Sequence, residues 1–130
     1  MVDAVDSLVV FSGTRKRVVR LTNISDGTGE SGVVKVDKST LIGPNGLEPT
    51  KLVVERIEYD ISGMTVRLYW DHTADDEIAV ISGAGYLDWR EVGGLVDPAS
   101  AGATGDILLT TNAHTLGDTY NITLWLRLKD

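Results

Sequence analysis

Apolar and polar residues alternate strictly near the end of the chain. Between Thr119 and Leu128, Tyr120, Ile122, Leu124, Leu126 and Leu128 fall on one side. Thr119, Asn121, Thr123, Trp125 and Arg127 fall on the other. A period of two predicts a half-buried strand, because a helix would scatter the same residues around its axis. Two more β-rich stretches, Lys51 to Ile61 and Met64 to Asp71, are separated by Ser62-Gly63. Glycine accepts positive φ without steric cost, so this pair predicts a tight hairpin turn. Counting outward from that turn sets Ile61 against Met64, Tyr59 against Val66 and Ile57 against Leu68. The same count sets Glu58 against Arg67, an opposite-charge cross-strand pair.

Shorter strands are predicted at Leu8–Phe11, Arg15–Ile24, Val33–Val36, Glu77–Ser82, Gly85–Glu91 and Asp106–Thr111, each rich in Val, Ile, Leu or Thr. The separators Ser25–Gly32, Gly43–Gly46 and Ser82–Gly85 read as turns. No helix-length segment carries a 3.6-residue period. The expected fold is all-β: an antiparallel β-sandwich or jelly roll of about eight or nine short strands. It forms a single domain over residues 1–130, with residues 1–7 as an extended N-terminal arm.

Composition narrows the chemistry. A chain of 130 residues with 42% hydrophobic and 24% charged residues suits a folded domain. It has no cysteine, which excludes disulfides, thiol catalysis and Cys-based zinc sites. The net charge of −7 argues against general nucleic-acid binding, and no apolar run is long enough for a membrane helix or a signal-peptide core. The 14 glycines fit turns, since no phosphate-binding loop or nucleophile elbow is present. His72 and His114 lack ligand spacing and read as loop residues. Asp71, Asp75, Asp76 and Glu77 form an acidic stretch suited to a hard cation, but without the alternating calcium-loop pattern. It reads as solvated surface. No cofactor is expected. Asn23-Ile-Ser25 and Asn121-Ile-Thr123 match the glycosylation pattern but fall in or at predicted strands.

Two surface features point to binding. Arg15, Lys16, Arg17 and Arg20 give a basic start to one strand, whereas residues 71–118 hold nine acids against the single base Arg90. Such asymmetry suits docking onto another copy or a charged partner. Tyr86, Trp89 and Trp125 are placed where exposed aromatics form an interface or a sugar platform.

Residues 50–130 also resemble a known group. The likeness runs through Val53-Glu-Arg-Ile-Glu-Tyr-Asp-Ile-Ser-Gly-Met64, Tyr69-Trp-Asp71, the stretch from Asp97-Pro-Ala-Ser-Ala-Gly-Ala-Thr-Gly105 to Asn112, and the ending from Thr119 to Asp130. These resemble stretches of small virion structural proteins of tailed bacteriophages. The resemblance implies a non-enzymatic assembly protein, present in many copies as a homo-oligomer. It would be built in the host bacterial cytoplasm and carried in the virion. Its partners would be the major capsid protein or other virion proteins, without membrane or direct nucleic-acid binding. A capsid decoration or cement role is the leading expectation, with a neck or tail position as the alternative. Two other classes compete: a carbohydrate-binding module using Trp89, Trp125 and Tyr86, and a small hydrolase using Asp71 or Asp88. Pairs drawn from Asp71, Asp88 or Asp97 could be imagined for glycoside hydrolysis, but any acidic chain offers such pairs.

Overall fold

The computed structural model describes residues 4–13, 15–25, 27, 29–43, 46–49, 51–71, 76–96, 106–112, 115 and 117–129, with backbone alone at 4–7, 12 and 76. Its strands are β1 (Ala4–Ser12), β2 (Lys16–Ile24), β3 (Val33–Val36), β4 (Lys51–Trp70), β5 (Asp76–Asp88), β6 (Leu95–Val96), β7 (Ile107–Asn112) and β8 (Thr119–Lys129). All pairings among them are antiparallel, in the order β1-β2-β8-β4-β7-β3, with β5 and β6 also on β4. The fold is the expected all-β antiparallel one, built as a single eight-stranded sheet.

The long strand β4 organises it. Residues 51–62 pair with β8, and residues 65–70 pair with β7 along the same edge. The opposite edge of β4 carries β6 and then β5. One strand therefore belongs to both halves of the sheet, and the halves meet over one apolar core. That core takes Val19 and Leu21 from β2, Ile57, Ile61, Met64, Val66, Leu68 and Trp70 from β4, and Ile107 and Leu109 from β7. The predicted inner face of β8 (Tyr120, Ile122, Leu124, Leu126, Leu128) is buried throughout.

The hairpin expected at Ser62-Gly63 does not form, because β4 continues through the pair without reversing direction. Ile61 pairs with Gly83 and Val66 with Ile81, so four residues of β4 stand opposite Ser82 alone. This is an enlarged bulge, and Gly63 at φ +84° provides its positive-φ corner. The bulge shifts the side-chain alternation by one, keeping Ile57 and Ile61 before it and Met64, Val66 and Leu68 after it inside. Glu58 and Arg67 are consequently not neighbours. Glu58 lies between Tyr86 and Thr123, and Arg67 between Val80 and Thr110. Arg67 instead binds Glu77, Nε to Oε1, at 2.7 Å.

Two further boundaries differ. The expected turn Ser82–Gly85 is strand, because Gly83 (φ +70°) and its neighbours follow the bend of β4 without leaving the ladder. Residues 4–7 are no free arm, since Ala4 to Ser7 pair with Ile24 to Leu21.

A polar cluster ties the two halves together. Glu30 Oε1 accepts hydrogen bonds from Asn23 Nδ2 at 2.8 Å and Tyr120 Oη at 2.5 Å. Its Oε2 meets Lys35 Nζ at 2.5 Å, with both side chains under one-tenth exposed. The Glu30 backbone exchanges hydrogen bonds with Thr111 of β7. β2, β3 and β8 thus converge on one carboxylate, and β7 holds the backbone of the same residue.

Candidate interaction surface

The outward positions of β5, β4 and β8 carry a row of charged and aromatic side chains. A register shift between Val54 and Arg56 makes Glu55 an extra residue and sets Arg56 directly beside Trp125. On its other side Arg56 pairs with Asp88. The guanidinium lies over the Tyr86 ring at 4.5 Å and the Trp125 ring at 5.6 Å. It also binds Glu58 at 2.6 Å and Asp88 at 3.3 Å. Each such cation–π contact stabilises by about 0.5–1 kcal/mol when exposed.

Asp88 accepts further bonds from the Arg90 guanidinium, at 2.6 Å and 3.0 Å. Those hydrogen bonds hold its carboxyl well below the usual aspartate range, with burial opposing them and the positive charges of Arg90 and Arg56 adding to them. Arg90 is shifted up in return, chiefly by the same hydrogen bond.

Beside this row lies a groove of about 340 Å³, lined by Glu58, Tyr59, Asp60, Tyr86, Asn121 and Thr123, with Gly85 at its wall. Gly85 keeps the wall thin, since a Cβ there would sit 3.1 Å from the Tyr59 hydroxyl. Tyr86 is 61% exposed at the rim.

At the other end of the same face the β1–β2 connection forms a basic tip. Phe11, Gly13, Arg15 and Lys16 line an open, mostly apolar depression of about 370 Å³. Lys16 meets Glu55 at 3.3 Å, and Arg127 meets the same carboxylate at 3.8 Å. The segment after β5 covers this end of β4: Arg127 donates to the Gly93 carbonyl, and a Cβ on Gly94 would strike Val53.

The expected groups are only partly assembled. Strand alternation divides the basic quartet. Arg15, Lys16 and Arg20 are exposed, whereas Arg17 turns inward and lines a small cleft with Val9, Lys35 and Leu41. Trp125 and Tyr86 share the Arg56 guanidinium, but Trp89 is half-buried against the core and leaves the expected three-ring platform incomplete. Glu77 is engaged by Arg67, and the Asp71 amide donates to the Asp106 carbonyl. Asp75, the Asp76 side chain, His72, His114 and the 97–105 stretch lie outside the described residues. Among the described residues no three His, Asp or Glu side chains gather as a metal site.

Sequence reading missed Glu30 and Arg56. Asn23 was the available sign of the first: it shares the inward face of β2 with Val19 and Leu21, where an amide needs a buried partner. Its 1% exposure also puts it out of reach of glycosylation in the folded chain.

Comparison with protein-family models gives no match, and neither does comparison with curated proteins. Among solved structures, the chain is similar to a cupin superfamily protein from Desulfitobacterium hafniense. The two share 13% identity at a TM-score of 0.41, covering 100% of this chain and 82% of the other.

Proposed function

We propose that the chain is a non-enzymatic structural protein of a tailed-phage particle, present in many copies, and that it decorates or cements the capsid. The observation that carries this reading is the edge strand β1. It ends the sheet, so half of its backbone groups have no strand partner. Leu8, Val9, Val10 and Phe11 along it are 46%, 41%, 57% and 56% exposed. Natural sheets blunt such an edge with lysine, proline or a cover. β1 contains neither lysine nor proline, and its only charged residue, Asp6, lies before the apolar run, with a register shift around Val10. An apolar edge of this kind suits a chain that spends its life pressed against a neighbour. The resemblance of residues 50–130 to phage virion proteins supplies the setting. The carbohydrate-binding reading is weaker, because Arg56 covers one face of both Tyr86 and Trp125 and Trp89 is withdrawn.

The test is reconstitution. Purified chain is added to particles lacking it, and bound copies are counted by quantitative mass spectrometry and located by electron microscopy. Decoration predicts saturable binding at a copy number matching the capsid lattice. A small ring at a single vertex would move the protein to the neck or tail. No binding at all would overturn the reading.

A further inference from the structure

We propose that the outer face of the β5-β4-β8-β2 half-sheet is the two-fold interface of a homodimer, with the basic tip of each copy seated in the acidic groove of the other. The inference rests on the multi-copy reading above and names the contact between copies.

The face has a chemical direction. Along β8, Arg127 stands beside Lys16, and Asn121 and Thr123 line the groove. Six residues of strand separate Arg127 from Asn121, about 20 Å. The Arg127 end carries Arg15 and Lys16, whereas Arg20 lies further along β2, paired with Thr123. The Asn121 end carries Glu58 and Asp60. A two-fold axis between them sets each basic end against an acidic one, satisfying both contacts in one closed interface.

The acceptor is specific. The acidic stretch 71–118 is the natural target for the basic segment, but most of its described carboxylates are already engaged, with Glu91 the exposed exception. Glu77 binds Arg67, and Asp88 binds Arg56 and Arg90. Asp106 caps the Lys38 amide, and Asp118 binds Thr115. Asp60 is exposed and has no partner among the described residues. The same holds for the Arg15 and Arg20 side chains.

Shape and composition agree. The groove is a hollow at one end, and the Phe11 side chain, 56% exposed, offers apolar surface beside Gly13 at the other. At the middle of the face stand Tyr86, Arg56 and Trp125, the residue types that most often dominate binding energy at the centre of an interface. A cation arriving at Tyr86 would repeat the contact that Arg56 already makes there.

The test is light scattering after size exclusion, across protein concentration and salt, with circular dichroism to confirm folding. Wild type is expected as a dimer that weakens as salt screens the paired ends. Asp60→Lys and Arg15→Glu should each weaken association by about tenfold or more, because each sets like charges together. An equimolar mixture of the two variants should dimerise again, as should the double variant. A monomeric wild type, assemblies beyond the dimer, or single variants that fail to complement each other would overturn the proposal. So would capture of a glycan array by a monomer through the Tyr86 groove. A monomer that still saturates particles would remove the dimer and leave the decoration reading standing. A dimer that ignores particles would do the reverse.

Discussion

Two clusters of charge in this molecule use the same chemistry to different ends. Inside, Glu30 and Lys35 meet with both side chains under one-tenth exposed, and the carboxylate takes two further hydrogen bonds. Outside, Arg56 meets Glu58, which is 49% exposed, along with Asp88 and two aromatic rings. Desolvation makes the inner charges dependent on one another, so losing one leaves the other stranded. The outer charges keep more contact with water, with the Arg56, Asp88 and Glu58 side chains 20%, 24% and 49% exposed, so water replaces a lost partner at lower cost. The first arrangement fixes how the sheet closes. The second leaves a face that can exchange water for a partner without endangering the fold.

The largest expected effect follows from breaking the inner cluster. Glu30→Ala strands the Lys35 ammonium, the Tyr120 hydroxyl and the Asn23 amide. It should cost about 3–5 kcal/mol, read as a lower midpoint in urea unfolding. A smaller effect comes from the bend that brings the cluster together. Gly63→Ala places a Cβ 2.2 Å from the Asp118 carboxylate at φ +84°, and should cost about 1–3 kcal/mol. Gly83→Ala meets no atom within 4 Å, so only its positive φ is penalised and its loss should be the smaller of the two.

The smallest effect belongs to the outer row. Arg56→Ala should cost about 1 kcal/mol or less and weaken further in salt sensitivity. The pH dependence has a definite sign. The Asp88 carboxyl is shifted down in the folded chain, so its contribution is present above the ordinary aspartate range and is lost as pH falls below that range. Asp88→Asn should flatten that part of a stability–pH curve by lowering the neutral-pH midpoint slightly, with little change on the acid side. An outer-row variant as damaging as Glu30→Ala would erase the contrast between the clusters.

Particular residues show why some of this was legible in the sequence. The alternation of β8 names its buried face correctly, since period two leaves one solution when one side must be dry. The inward set on β4 is also legible, but its topology is not. A hairpin and a bulge both present a glycine and a one-residue change of phase, and only the partner strands distinguish them. β5 shows the converse: Gly83 and Gly85 look like a turn because no local signal reveals that β4 bends beside them. The basic quartet was read as a run of charge, although alternation already sends Arg17 to the side opposite Lys16. Glu30 meets Tyr120 and Thr111 far along the chain, so its place in the core is not legible from its own neighbourhood, although the inward Asn23 hints at a buried partner. The Arg56 row depends on a bulge that no residue pattern announced.

The central claim is that β1 is an interface strand. Hydrogen exchange read by mass spectrometry over residues 4–12 tests it, comparing the free chain with the chain bound to particles. The account predicts that the outward amides of β1 exchange quickly in the free chain and become protected on assembly, while the buried strand β8 stays slow in both states. Saturated particles in which β1 exchanges as fast as in the free chain would contradict it.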